Sequence, residues 1–150
     1  MKRYILLVIS LFCTLLLSSQ SRYDGLWEGE LTYGGIYSEQ SYRFQMWLEA
    51  DGGDIKGRSY VFLSEDKVIE MEIRGRLYSD LSIYLLDTAF VPAAGSELVP
   101  SFYRKYQLLF KRSIWETALE GYWQEIIDSP LDEHREKGRI KVQRVKTLKP

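Results

Sequence analysis

Apolar and polar residues alternate with a period of two in eight short segments between residues 26 and 145, and this restricts the chain to sheet. Residues 26–33 set Trp27, Gly29, Leu31 and Tyr33 against Glu28, Glu30 and Thr32. Residues 42–48 do the same with Tyr42, Phe44, Met46 and Leu48 against Arg43, Gln45 and Trp47. Similar runs follow at 55–63, 68–77, 81–86, 102–110, 118–126 and 138–145. Successive side chains of a strand point to opposite faces, so each run has one face to bury. Eight such strands joined by short turns predict an all-β fold, an antiparallel up-and-down barrel of about eight strands, with a β-sandwich as the alternative. The many Tyr, Phe and Trp residues suit strands as well.

One segment carries a competing signal. Ser113-Ile114-Trp115-Glu116 has the form of a helix capping box, and apolar residues recur at near-helical spacing as far as Ile126. A short helix within 113–127 is therefore the alternative there. Gly121 is costly in a helix interior, and residues 138–145 need a neighbour, both of which favour strand.

Turn chemistry predicts register. An Asp51-Gly52 turn pairs Ala50 with Gly53, Leu48 with Ile55, Met46 with Gly57 and Phe44 with Ser59, and on the other face Trp47 with Lys56. The next hairpin has two registers in competition. One faces Leu63 with Ile69 and Gly57 with Gly75 but sets Arg58 beside Arg74, like charges in contact. The other slips by two residues, pairs Arg58 with Glu72, breaks the glycine pair and is expected to lengthen the loop.

Lys2 and Arg3 precede a 13-residue apolar-rich run from Ile5 to Leu17, followed by Ser18 and Ser19. This is the order of a secretory signal peptide, and it is shorter than the roughly 20 residues a bilayer-spanning helix needs. Residues 1–19 are expected to be removed, leaving 20–150 as a single domain. The only cysteine, Cys13, lies in the removed part, so the remainder has no thiol chemistry and no disulfide. Such a composition points to an extracytoplasmic protein, periplasmic or secreted, of bacterial type. Net charge is mildly negative, which gives no reason to expect a nucleic-acid partner.

Gly25-Leu26-Trp27 opens the first strand and Gly121-Tyr122-Trp123 lies in the seventh. A Gly-x-Trp opening a small exported eight-stranded barrel resembles the lipocalin and avidin-like proteins. In that family the tryptophan packs across the base of the barrel, and in lipocalins an arginine near the last strand stacks on it, a role open here to Arg139 or Arg144. The resemblance implies a ligand site in the barrel interior without implying which ligand. The family's Thr-Asp-Tyr-type motif has only a loose counterpart in residues 79–84, and the polar residues that hold biotin in avidins have none.

Catalytic chemistry finds little support in the residue inventory. His134 is the sole histidine and sits in a charge-dense stretch, which excludes a multi-histidine metal site and reads as a solvated loop residue. Glu70 and Glu72 lie on one strand face at a spacing some glycosidases use, but beside Arg58 and Arg74 they read as a salt-bridged surface. Asp51 and Asp54 are accounted for by a turn. The expectation is a non-catalytic, monomeric binding protein with no cofactor, meeting the membrane only through its cleaved signal.

Two candidate binding regions follow. Trp27, Met46, Gly57 and Gly75 face inward, where the glycines would leave room for a small apolar or amphiphilic molecule. Trp47, Lys56 and Arg58 face outward, where an indole between basic side chains would serve an interaction module recognising an envelope glycan or protein. A glycan-active enzyme ranks third. Residues 88–101, with Phe90, Val91, Leu98 and Val99, are expected to form a loop closing one end of the barrel.

Overall fold

The structure is a computed structural model, and it describes residues 21–95, 97–127 and 135–145. The expected signal segment with Cys13, and His134, lie outside the described residues. Eight strands follow in chain order: β1 (Gly25–Thr32), β2 (Ser41–Asp51), β3 (Asp54–Ser64), β4 (Lys67–Leu77), β5 (Ser82–Val91), β6 (Arg104–Arg112), β7 (Thr117–Glu125) and β8 (Lys137–Arg144). Each pairs antiparallel with the next, and β8 returns to β1, so the sheet closes into an up-and-down barrel. Closure leaves no unpaired edge, the barrel's solution to the edge-strand problem. This is the eight-stranded closed architecture compatible with a calycin-like fold. The sandwich alternative does not hold.

The tight turns at 52–53, 78–81 and 113–116 gather at one end of the barrel, together with the lead-in to β1 and the end of β8. At the other end lie the connection at 33–40, the end of β5 with the start of β6, and the end of β7 with the start of β8. We call these the turn end and the loop end.

The expected strand at 113–127 is present as β7, and the helix alternative is not. The capping-box residues do what such residues do in a helix, but within a hairpin. Ser113 Oγ accepts from the backbone N–H groups of Trp115 (3.2 Å) and Glu116 (3.1 Å), and Ser113 N donates to Glu116 O at 2.9 Å. These bonds close a four-residue turn between Arg112 and Thr117.

Registers differ from expectation in instructive ways. In the β2–β3 hairpin Gly52 and Gly53 form the tip, with Asp51 paired to Asp54, so Leu48 meets Gly57 and Met46 meets Ser59. Gly52 has φ 63°, as the first central residue of a II′ turn requires. The shift is two residues, so every side chain stays on its expected face. Between β3 and β4 the register that pairs Arg58 with Glu72 is adopted, and Arg58 bonds Glu70 at 2.7 Å. The slip shortens the loop rather than lengthening it: Ser64 pairs with Lys67, leaving Glu65 and Asp66 as the turn, with a register shift between Phe62 and Ser64. β5 runs five residues past its expected end, so Phe90 and Val91 pair with Met71 and Glu70 as strand instead of belonging to a loop.

Inward-facing residues of all eight strands form one core, with Phe44, Met46, Leu48, Met71, Leu85, Tyr106 and Leu119 fully buried. The two tryptophans close its two ends. At the turn end Trp27 donates from Nε1 to Tyr23 O (2.9 Å), meets Phe110 edge-on and lies under the Arg144 guanidinium at 5.9 Å. Of the two arginines considered, Arg144 is therefore the one over the tryptophan. It also donates to the backbone carbonyls of Arg22 and Asp24, tying the lead-in to the last strand. Gly25 explains its place in the motif by a φ of 112°, a conformation that side-chain-bearing residues rarely adopt.

At the loop end Trp123 stacks on Phe102 with rings 6° from parallel, and its Nε1 donates to Thr32 O at 2.8 Å. That bond runs from β7 across β8 to β1. It passes over Gly138, where a Cβ would stand 2.6 Å from the indole nitrogen and 2.0 Å from Thr32 O. Only a glycine leaves the path open.

Candidate functional site

The residues expected to line an interior cavity are packed. Trp27 and Met46 are fully buried in the core. Gly57 faces Ile73 and Gly75 faces Ile55 on the β3–β4 ladder, so the two glycines are not opposite one another. Nor do they open space. A Cβ on either would stand 1.8 Å from a carbonyl oxygen of the adjacent strand, Trp47 O or Tyr84 O. Their absent side chains let neighbouring strands approach as the barrel coils.

Hollows of two sizes lie on the outer wall among the described residues. The smaller, about 330 Å³, is bordered by Trp47, Lys56, Arg58, Glu72 and Arg74. The structure thus brings together the three outward residues singled out in the sequence, with Trp47 directly opposite Arg58. Both basic groups are already engaged on the surface: Lys56 with Glu49 at 3.4 Å, Arg58 with Glu70. Trp47 is about half exposed.

The larger hollow, about 950 Å³, is a groove over β5 to β8 and β1. Its floor is built by strand register. Tyr84, Gln107, Tyr122 and Arg139 stand side by side on four consecutive strands, since Tyr84 pairs with Gln107, Gln107 with Tyr122 and Tyr122 with Arg139. A second row, one outward position along, runs Ser82, Leu109, Glu120, Lys141 and Glu30. Glu120 sits between Lys111 and Lys141, and the Lys111 hydrogen bond holds its carboxyl below the usual range. Sequence reasoning missed this groove. Its residues are spread over five strands, and only the register of the closed barrel aligns them.

Outward faces are rich in charge and inward faces are apolar, the reverse of a membrane-spanning barrel. Neither a protein-family model, nor a curated protein, nor a solved structure matches the chain. Any assignment must rest on the site itself.

One further cluster lies inside. Asp87, at the end of the β5–β6 ladder, is buried and takes over where backbone pairing stops at Leu86 and Lys105. Its Oδ2 accepts from Arg104 N (2.8 Å) and its Oδ1 from the Tyr106 hydroxyl (2.8 Å). A register shift in β4–β5 between Glu72 and Ile73 lies beside it, a device that re-aims side chains. Burial pushes the Asp87 carboxyl up to about 6, outweighing the Tyr106 hydrogen bond and the nearby Arg104 charge. Burial likewise drives the Tyr106 phenol well above its ordinary value.

The Arg104 guanidinium lies over Phe102 (5.0 Å) and Trp123 (5.4 Å), with Nη1 3.9 Å from Asp87 Oδ2, beyond hydrogen-bond reach. Its Nε and Nη1 have no hydrogen-bond partner among the described residues. Ser59 lies beside the Tyr106 phenol, yet its Oγ also makes no bond of proper geometry there. A signal for this cluster existed: Arg104 shares the inward parity of Tyr106, Leu108 and Phe110, and Asp87 that of Ile83 and Leu85. Among the described residues no group of three or more His, Cys, Asp or Glu side chains is placed to hold a metal ion.

Proposed function

We propose that the chain is an exported, non-catalytic recognition module that binds an envelope glycan in the groove on its outer wall. The observation that carries this reading is the row Tyr84, Gln107, Tyr122 and Arg139 along the groove floor. Tyr84 and Tyr122 are two strands apart, about 9 to 10 Å, roughly a disaccharide repeat. Phenol rings at that interval offer faces for sugar C–H groups. The amide of Gln107 between them, with Arg139 and Glu120 beside them, offers donors and acceptors for hydroxyls. The aromatic and basic hollow around Trp47, Lys56 and Arg58 would serve as a secondary contact. The test is calorimetric titration with chitin oligosaccharides and soluble peptidoglycan fragments. Binding that falls at least tenfold in Tyr84→Ala and Tyr122→Ala is expected; no binding by the parent, or binding unchanged in both variants, refutes the reading.

A second reading, a ligand held inside the barrel, is favoured by a separate observation: the buried Arg104 Nε and Nη1 and Ser59 Oγ without hydrogen-bond partners. Such groups would anchor the polar head of an amphiphile entering beside Phe102 at the loop end. The calycin-like closure by Trp27 and Arg144 accords with it. Native mass spectrometry of the purified protein checks it. A reproducible co-purified mass lost in Arg104→Met supports it, and a ligand-free protein with no thermal shift across lipids and hydrophobic metabolites rules it out.

A further inference from the structure

We infer that the glycan taken by the groove is acidic, a linear chain whose carboxylates are received by Arg139 at one end of the aromatic row and by Arg76 at the other. The inference rests on the glycan reading above and adds to it the charge of the ligand. Strand register carries the row one position beyond Tyr84, because Tyr84 pairs with Arg76 of β4 on its other side. The order across five strands is therefore Arg76, Tyr84, Gln107, Tyr122 and Arg139. Each tyrosine has an arginine on the adjacent strand. The two arginines are four strand spacings apart, about 19 Å along the wall, which is two of the disaccharide intervals set by the tyrosines. No carboxylate stands in this row.

Ion pairing separates these arginines from the other cations nearby. The groove lining carries Lys111, Arg139 and Lys141 against Glu30 and Glu120, so one cation is in surplus. Lys111 and Lys141 are both held by Glu120, and Glu30 stands opposite Lys141 in the second row. The Arg139 side chain is exposed and has no ion-pair partner among the described residues. Arg76 has Asp54 as a loose partner at 3.8 Å, with both side chains largely exposed. A guanidinium presents paired N–H donors that match the two oxygens of a carboxylate, a fit that a sugar hydroxyl does not offer. The whole chain has a net charge of −1, so it supplies no general attraction for a polyanion. Preference for an acidic glycan has to come from this row.

The test is calorimetric titration of the purified protein at low salt with a hyaluronan hexasaccharide and with its methyl ester, which differ only at the carboxyl groups. A chitin hexasaccharide is the neutral reference. The parent is expected to bind the acid at least fivefold more tightly than the ester. That ratio should fall below twofold when Arg76→Gln and Arg139→Gln are combined, whatever the pair costs in affinity for the ester. It should persist in Tyr122→Ala, which weakens both ligands, and in Lys67→Gln, a charge change on an exposed residue outside the groove. All four positions lie on the exposed or outward side of the wall, and far-ultraviolet dichroism checks the fold of each variant. Equal affinity for acid and ester, a ratio that survives the double arginine variant, or a ratio lost as fully in Lys67→Gln overturns the inference. So does binding of chitin with neither hyaluronan ligand; in each of these cases the glycan reading stands. Binding of none of the three removes both.

Discussion

Replacing Asp87 with asparagine tests whether the barrel carries an inward carboxylate at a cost. The ordinary carboxyl value of an unfolded Asp is about 3.9, and burial raises that of Asp87 to about 6 in the fold. The native state therefore binds the proton more tightly than the unfolded chain. A difference of that size corresponds to about 3 kcal/mol. The sign follows: this contribution to stability is fully present below about pH 4 and is lost as pH rises through about 6. At neutral pH the fold holds an ionised Asp87 against its preference.

The amide introduced by Asp87→Asn cannot ionise, so the variant loses that pH dependence and keeps the others. Urea denaturation followed by tryptophan emission, at intervals from pH 4 to 7.5, gives the stability of parent and variant. Their difference should change by about 2.4 kcal/mol across that range, the variant gaining relative to the parent as pH rises. A constant offset from the altered bond to Tyr106, or from the Arg104 charge left without its partner, does not affect the slope. Parallel profiles would refute the argument, because they would mean that Asp87 has the same proton affinity folded and unfolded.

Other perturbations follow from the packing. Gly138→Ala places a methyl on the path of the Trp123 bond and should lower stability by at least about 2 kcal/mol, measurable by chemical denaturation. Arg144→Leu removes the guanidinium from Trp27 and from the carbonyls of Arg22 and Asp24, with an expected loss of about 1 to 3 kcal/mol and increased protease cleavage near residue 22. Glu70→Gln breaks the exposed pair with Arg58 and should change the unfolding free energy by less than about 1 kcal/mol, with the difference shrinking further in high salt.

The fold is legible because barrel strands announce themselves locally. In β1 and β2 the inward residues Trp27, Leu31, Phe44, Met46 and Leu48 can be read off by parity alone, and parity survives even where the turn lies one residue, and the register two, from the expected place. Register is harder, since Asp51-Gly52 and Gly52-Gly53 are both competent turns and only the packing of the whole sheet chooses between them. Charge does separate the two registers at Arg58, but the length of the loop escapes the same reasoning because the hairpin absorbs an irregularity after Phe62. Ser113 shows why a local motif misleads: the same hydroxyl-to-amide bonds that start a helix also close a hairpin. The groove is invisible for another reason. Tyr84, Gln107, Tyr122 and Arg139 are far apart in sequence, and become neighbours only through three successive ladders. The glycines Gly57 and Gly75 suggest space, whereas neighbouring backbone occupies it.

The bond from Trp123 to Thr32 joins residues 91 positions apart and spans the strand that arrives last. During synthesis β1 is made first, yet one of its edges stays unpaired until β8 is available. β1–β8 is the one pairing in the barrel between strands that are not consecutive in sequence, so loop-closure entropy predicts that it forms late. Were the chain exported unfolded, as its N-terminal sequence predicts, its last strand would reach the folding compartment soon after its first. Retained inside the cell, the same chain would wait with an open apolar edge, and aggregation by strand pairing would compete with closure.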